Sequence, residues 1–362
     1  MSNGFFSSTK GVVVAGLFIG LGAAVLQKLG NPGNMGLCVA CFGRDVSGAV
    51  GLHRAEVVQY LRPEIMGLVL GAFAAAILSG EFKPRMGSSP LIRFFLGAFV
   101  GIGALIFLGC PWRALLRLAG GDWNAIFGII GLAVGVLIGA YFISRNFSLG
   151  ASQKSTLLFG LAFVLLMIGL LYLRVAYPPI EGQAKNDLLF YSVGGPGSQR
   201  APLWASLIFA IVIGYFGQRS RFCSIGAIQN AVLFKQFHLL LGVMGFVAAA
   251  FVANLAFGQF HPGFEKQPIA HQLQFWNFFG LVIVGFGAAL AGGCPGRQLF
   301  LAGEGDADAG VFVLGLLLGL AMAHNFSAAS SGAGLGPHGA GIGVISLVMI
   351  FLIAITGLAK KA

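Results

Sequence analysis

The chain has 362 residues, of which 57% are hydrophobic and only 9% are charged, whereas a soluble domain usually carries about 25% charged residues. The mean hydropathy is +0.89, and together these values exclude a soluble globular protein, a disordered chain and a nucleic-acid-binding domain. The formal net charge of +11 is therefore interpreted as basic residues that flank membrane segments or attract an anion.

Ten apolar windows follow one another along the chain, each near the length that crosses a bilayer as a helix. They fall at about 11–29, 64–80, 92–109, 124–143, 156–173, 202–217, 237–258, 274–291, 310–324 and 340–358. We therefore predict an all-α, polytopic membrane protein with about 9–10 transmembrane helices and additional short re-entrant helices. Met1–Lys10 precede the first window without a small-residue cleavage site, so we expect no cleavable signal peptide.

An internal repeat divides the chain into two halves. Phe94–Phe142 align without a gap on Phe278–Phe326, with 18 identities in 49 positions. The identities include Gly-Cys-Pro-x-Arg followed by Gly-Asp, which composition alone does not explain. We predict a first membrane repeat at 1–176, a linker loop at 177–200 and a second membrane repeat at 201–362. Five windows in each half is an odd number, so the second repeat is expected to be inverted relative to the first. The distribution of Lys and Arg leaves the orientation in the membrane open.

The shared motif reads Gly109-Cys110-Pro111-Trp112-Arg113 in the first half and Gly293-Cys294-Pro295-Gly296-Arg297 in the second. Gly and Pro end a helix, and irregular backbone at membrane depth occurs only against protein or a water-filled path. Pro also suits the first turn of a new short helix, whose N–H groups favour an anion. The Arg either activates the thiol or holds the anion. The alternative is an inert packed thiol with an Arg that extends to the lipid headgroups.

A second pair of motifs carries the remaining cysteines. Arg219-Ser220-Arg221-Phe222-Cys223 in the second half corresponds to a segment with Cys38 and Cys41 in the first. Cys38 is the better match to Cys223, because it lies 72 residues before Cys110, and Cys223 lies 71 residues before Cys294. Cys41 is then an extra thiol. Two alternatives stay open: Cys38 and Cys223 as small core residues, and Cys38-x-x-Cys41 as a redox pair without a thioredoxin-like pattern around it.

The other polar residues give weaker signals. The six histidines are dispersed, so we predict no zinc site or other metal, and no cofactor. His324 is interpreted as a satisfied interior histidine rather than a ligand. Asp122 and Asp306 are predicted to cap the helices that follow them, with a proton relay as the alternative. Residues 327–338 form either a flexible loop or a backbone-lined anion contact.

These motifs together resemble the YeeE/YedE membrane family, which has a sulfur-transport domain. The resemblance rests on the matched cysteines of the two halves, on Gly-Cys-x-x-Arg after a span, and on apolar-Cys-x-x-Gly-Ala in the second half. The run from Gly30 to Phe42, followed by Arg44-Asp45 and Gly51-Leu52-His53, is similar to the selenium-associated YedE branch.

The resemblance implies a transporter of the bacterial inner membrane that imports a small sulfur or selenium anion, either selenite-like or thiosulfate-like. It implies a compact, pseudo-symmetric helical protein with a cysteine-lined central path. The partners it implies are the solute, membrane lipid and a cytoplasmic sulfur- or selenium-carrier protein, and no nucleic acid is expected. Carried over to this sequence, the thiols that contact the ion are first those of Cys110 and Cys294 and then those of Cys38 and Cys223. Cys41 is a further substrate-path candidate outside the matched pattern.

Thiol chemistry agrees with this resemblance. A thiol is a soft and weak hydrogen-bond donor, and several weak sites in series permit release. An arginine at the narrowest point would hold the anion too tightly. We therefore expect the thiols at the constriction and the arginines at the mouths, set back from the thiols: Arg113, Arg219, Arg221 and Arg297.

Two other functions remain open on the sequence. One is a membrane sulfur or selenium transferase, in which Cys110 or Cys294 carries a persulfide or selenopersulfide. The other is a partner that recruits a selenium-handling protein without transport, although the loops are short for a docking surface. The sequence has no Gly-x-x-x-x-Gly-Lys-Ser/Thr loop for ATP. Transport without enzymatic activity is the function we predict.

Overall fold

The computed structural model describes residues 5–359. Residues 1–4, which belong to the segment predicted to lack a signal-peptide cleavage site, lie outside the described part. The first half contains α1 (Thr9–Lys28), α2 (Val39–Ala49), α3 (Pro63–Leu78), α4 (Pro90–Phe107), α5 (Pro111–Ala119), α6 (Asn124–Ser144) and α7 (Leu157–Ala176). The second half contains α8 (Leu203–Arg219), α9 (Ser224–Leu233), α10 (His238–Ala256), α11 (Gln274–Leu290), α12 (Pro295–Gly303), α13 (Ala307–Asn325) and α14 (Gly339–Ala359).

Strands are minor elements among the described residues. β1 (Arg85–Met86) pairs antiparallel with β2 (Gln153–Lys154), and β3 (Lys185–Asn186) pairs antiparallel with β4 (Leu189–Phe190). Single turns of 3₁₀-helix cover Phe5–Ser7 and Glu56–Val58. The β3–β4 hairpin lies in the segment predicted as the linker loop between the halves.

Long and short helices follow one another in the same order in both halves. Within the described residues, ten segments are long and apolar enough to cross a membrane, and they coincide with the ten apolar windows. The short helices α2, α5, α9 and α12 have 9 to 11 residues. The prediction of an all-α, polytopic membrane protein with additional short helices is confirmed.

The two repeats run in opposite directions. Phe6, before α1, lies beside Phe216 at the end of α8, with 5.6 Å between ring centroids. At the other end, the N–H of Ala201, before α8, donates to Asn31, after α1, at 2.9 Å. α1 and α8 are therefore antiparallel although they hold the same place in the two repeats, as expected for an inverted repeat. We call the face where α1 begins the N-terminal face and the opposite one the linker face, since the linker loop lies there.

Helices of one half pack mainly on helices of the other: α1 on α10, α3 on α8, α4 on α13 and α6 on α11. Glycines allow these pairs to approach at backbone distance. A β-carbon at Gly97 of α4 would collide with the carbonyl oxygen of Phe312, and one at Gly315 of α13 would collide with that of Phe94. The two halves thus interlock around the short helices.

Candidate functional site

Four of the five cysteines are the N-cap residues of the four short helices. Cys38 precedes α2, Cys110 precedes α5, Cys223 precedes α9 and Cys294 precedes α12. All four have extended backbone dihedrals, which an N-cap requires, and the prolines after Cys110 and Cys294 occupy the first helical turn, where proline is favoured. The Gly-Cys-Pro motif therefore ends one helix and starts the next, as predicted.

Three of these thiols accept a backbone hydrogen bond from their own helix. The sulfur of Cys38 accepts from the N–H of Cys41 at 3.3 Å. That of Cys223 accepts from Gly226 at 3.2 Å, and that of Cys294 accepts from Arg297 at 3.4 Å. A sulfur that accepts keeps its S–H group as a donor, and the S–H of Cys38 is directed at the sulfur of Cys110, 3.7 Å away. The N-terminal end of each helix also adds a partial positive charge next to the thiol.

The first-half cluster consists of Cys38, Cys41, Cys110 and Arg113. The sulfurs of Cys38 and Cys110 are 3.7 Å apart. The sulfur of Cys41 lies 3.9 Å from the carbonyl oxygen of Leu108 and 3.6 Å from Nη1 of Arg113. All four side chains are buried. The end of α1, the start of α2 and the break between α4 and α5 thus bring three thiols together.

The second-half pair consists of Cys223 and Cys294. The backbone N–H of Cys294 donates to the sulfur of Cys223 at 3.4 Å, and both thiols are buried. Because Cys38 and Cys223 are both N-caps, whereas Cys41 lies one turn inside α2, the structure supports the alignment of Cys38 with Cys223. All five cysteines are free thiols.

Arg113 lies among the thiols, and its guanidinium binds backbone carbonyls. It donates to the carbonyl oxygens of Leu108 and Ile269, the latter at 3.0 Å, and it is fully buried. Leu108 ends α4 in the left-handed conformation, with φ of 64°. The expectation that all four arginines lie away from the thiols is therefore wrong for Arg113, because the irregular backbone after α4 needs a buried donor.

The other three arginines pair with carboxylates toward the N-terminal face. Arg297 contacts Glu304 at 3.2 Å. Arg219 and Arg221 contact Glu81 at 3.1 and 3.3 Å, and Arg221 also lies 3.6 Å from Glu304. These pairs offset part of the positive charge at the N-terminal face, so attraction of an anion by Arg219, Arg221 and Arg297 stays a prediction.

The pKa of Glu81 is set by this group of side chains. Burial alone would raise the pKa of Glu81, but the hydrogen bond from Gln218 and the charges of Arg221 and Arg219 outweigh it. The pKa is therefore lowered from its ordinary value of 4.5, and the carboxylate stays charged at neutral pH.

A cavity of about 460 Å³ adjoins the first-half cluster toward the linker face. Its lining includes Arg44, Leu108, Ile269, His324 and Ser330. Leu108 and Ile269 also supply the carbonyls that Arg113 binds, so the cavity borders the residues that hold the Arg113 guanidinium. In the sequence, Arg44 contributes to the family resemblance but is not predicted as a site residue. A charged pair within a short re-entrant segment is the signal that could have identified it.

Arg44 belongs to a buried ion-pair network. Its guanidinium contacts Asp45 at 2.8 Å, and Asp45 also contacts Arg62 at 2.7 Å. Ser330 anchors the segment 327–338 beside the cavity by donating to the carbonyl oxygen of Ile106 at 2.8 Å. This segment is therefore held in place at Ser330, and it contributes to the wall of the cavity.

Two polar predictions have mixed outcomes. The ring of His324 lies 4.6 Å from that of His53, and its Nε2 is buried without a hydrogen-bond partner among the described residues. The prediction of a satisfied interior histidine is thus wrong for this nitrogen.

Asp306 caps α13 by accepting from the N–H of Ala309 at 3.1 Å, as predicted. Asp122 accepts from the N–H of Asn124 at 3.0 Å, but the N-cap of α6 is Trp123.

The comparison with protein families adds one finding to this geometry. Residues 219–357 match the Sulphur transport family. The match contains Cys223, Cys294 and both of their short helices, and it covers less than half of the chain. The comparison with curated proteins finds no match. Over its second half, this multi-pass membrane protein is therefore similar to the Sulphur transport family, and the inverted repeat relates the first half to that region.

Proposed function

We propose that the protein imports a small sulfur- or selenium-containing oxyanion, of the thiosulfate or selenite kind, across the bacterial inner membrane. The path runs past Cys38, Cys110, Cys223 and Cys294. The observation that carries this proposal is the set of four buried N-cap thiols, two in each inverted repeat. A cytoplasmic sulfur- or selenium-carrier protein that receives the solute belongs to the same proposal.

The helix termini support anion passage. Four helix N-termini meet in the protein interior, and each favours a negative charge through its N–H groups and its dipole. The thiols at these termini add soft S–H donors, which suit the sulfur or selenium atom and the oxygens of such an anion.

The arginines support weak rather than tight binding. Arg113 already donates to backbone carbonyls, and Arg297 is paired with Glu304. The guanidinium of Arg113 is therefore occupied by the backbone, and the charge of Arg297 is offset by Glu304, which weakens the bidentate clamp that arginine otherwise offers an anion. Weak contacts at several successive sites are what conduction requires, because a tightly held ion does not leave.

The test is uptake of radiolabelled thiosulfate and of labelled selenite into proteoliposomes that contain the purified protein. We expect uptake by the wild type, and competition between the two anions for one path. Cys294→Ala is expected to abolish uptake, since it removes one of the second-half thiols. Cys41→Ala is the comparison variant, because it removes an equally buried thiol outside the repeat-matched set, and its loss of uptake should be smaller than that of Cys294→Ala.

Two results would contradict the proposal. Full uptake by a folded Cys294→Ala protein would refute the thiol path. A reductant-sensitive adduct on one cysteine, seen by intact mass after exposure to thiosulfate and accompanied by no uptake, would instead establish the transferase. Elution on size exclusion and thermal unfolding of each variant show whether it is folded.

A further inference from the structure

Trp112 occupies the space between the two halves at the start of the short helices. It lies two residues after Cys110, is only 1% exposed, and is among the largest fully buried side chains. Its ring packs on aromatic residues of the second half, with centroid distances of 6.1 Å to Phe222 and 6.0 Å to Phe300. A residue of the first repeat is thus embedded among residues that surround the second-half pair.

The repeat explains why there is room for this ring. The residue that corresponds to Trp112 in the second motif is Gly296, two residues after Cys294. A β-carbon at Gly296 would lie 2.5 Å from Cζ2 and 2.9 Å from Cε2 of Trp112. The indole therefore packs directly against the first turn of α12. It connects the N-terminal turn that follows Cys110 with the one that follows Cys294.

The indole nitrogen has an unused hydrogen bond. Nε1 of Trp112 is buried and has no hydrogen-bond partner among the described residues, although a buried tryptophan N–H usually finds one. Cε2, which faces Gly296, is the ring carbon bonded to Nε1. The unpartnered donor is therefore one bond away from an atom that packs on the first turn of α12, and the N-terminus of this helix favours an anion.

We propose that Trp112 is an anion-contact residue at the midpoint of the path, whose indole N–H donates a hydrogen bond to an oxyanion oxygen between the first-half cluster and the second-half pair. This inference rests on the proposed transport function, and it assigns to Trp112 a role that the thiols do not fill. An indole N–H is a neutral donor without an acceptor site, so it selects an anion oxygen without holding it as a cation would.

The first experiment is a fluorescence titration. Replacing the other tryptophans, Trp123, Trp204 and Trp276, by Phe leaves Trp112 as the single tryptophan, which is excited at a wavelength that tyrosine does not absorb. Thiosulfate is the probe, and we expect a saturable change in Trp112 emission, with a midpoint near the KM of uptake. Sodium chloride at equal ionic strength is the control. The absence of any change at thiosulfate concentrations that saturate uptake would overturn the proposal.

The second experiment removes only the donor. Trp112→Phe keeps an aromatic ring and loses the N–H, so the KM for thiosulfate is expected to rise about two- to tenfold, the usual effect of one lost hydrogen bond. Trp204→Phe, at a residue that is 63% exposed, is the matched control and should leave KM unchanged. An unchanged KM in folded Trp112→Phe, with normal uptake by the wild type, would refute the role of Trp112 alone. Absence of wild-type uptake would refute transport, and the fluorescence titration would then still decide whether Trp112 meets the anion.

Discussion

The first-half cluster and the second-half pair are built from the same motif, yet their arginines do different things. In the first half, Arg113 turns into the protein and binds the carbonyls of Leu108 and Ile269. In the second half, Arg297 turns away from the thiols and pairs with Glu304. At the position of Glu304 the first repeat has Gly120, so Arg113 has no equivalent carboxylate. A repeated sequence motif thus preserves the positions of the thiols, while the neighbouring residues decide where the arginine side chain lies.

Oxidation should have the largest effect, through the first-half cluster. The sulfurs of Cys38 and Cys110 are 3.7 Å apart. A disulfide bond has an S–S distance of about 2.05 Å, so only a small movement of the two side chains is needed to form one. An added oxidant that takes two electrons and two protons from this pair is expected to form the Cys38–Cys110 disulfide and to abolish uptake. Intact mass, which falls by the mass of two hydrogens, and a non-reducing peptide map identify the bond.

The control for oxidation is the double variant Cys38→Ala/Cys41→Ala treated in the same way. It leaves Cys110 without another thiol of the first-half cluster, so the mass of the first-half peptides should not change. A wild-type protein that keeps all its thiols free under the same oxidant would contradict the proximity of Cys38 and Cys110.

Loss of the two arginines should differ in its effect on stability. Arg113→Gln leaves the buried carbonyls of Leu108 and Ile269 without their charged donor, and we expect a destabilisation of at least about 3 kcal/mol. Arg297→Gln is the matched variant. Glu304 keeps Arg85 at 3.4 Å and Arg221 at 3.6 Å, so the loss should be about 1.5 kcal/mol, that of one hydrogen bond between charged groups. Thermal unfolding in detergent at neutral pH compares the two, and equal losses would contradict the difference in roles that we assign.

The smallest effect concerns the outer edge of the second-half region. Glu81→Gln breaks the contacts to Arg219 and Arg221, and because these groups are partly exposed we expect a loss of less than about 1 kcal/mol at pH 7. The pKa of Glu81 is lowered in the folded protein, so its contribution is present above its ordinary pKa of 4.5 and disappears as the pH falls through the lowered value. Melting temperatures of the variant and the wild type should therefore converge in acid. A gap that widens as the pH falls would contradict this sign.

Local sequence patterns predicted the helices and the thiol positions well. The ten apolar windows correspond to long helices, and Gly-Cys-Pro placed Cys110 and Cys294 at breaks, because glycine, proline and hydropathy act over a few neighbouring residues. The spacing of the cysteines also selected Cys38 over Cys41 as the partner of Cys223. These features depend on nearby residues and on the repeat, both of which are visible in the sequence.

The contacts of the polar residues were not predictable in the same way. The partners of Arg113 are backbone carbonyls, one of them at Ile269 in the other half, and every residue carries such a carbonyl. Arg44 and His324 meet at the cavity because α2 and α13 pack together. Which helices pair is decided by the packing of whole helix faces, which the hydropathy of single windows does not record.

The interlocking of the halves has a consequence for biosynthesis. α4 and α6 carry glycine-lined faces whose partners, α13 and α11, are translated much later. Because the ribosome delivers segments in order, the early helices reside in the bilayer before their partners emerge, and they associate only afterwards. A nascent chain that stalls before α11 therefore exposes the close-packing surfaces of α4 and α6 to membrane quality control, because two of the four cross-half helix pairs are still incomplete.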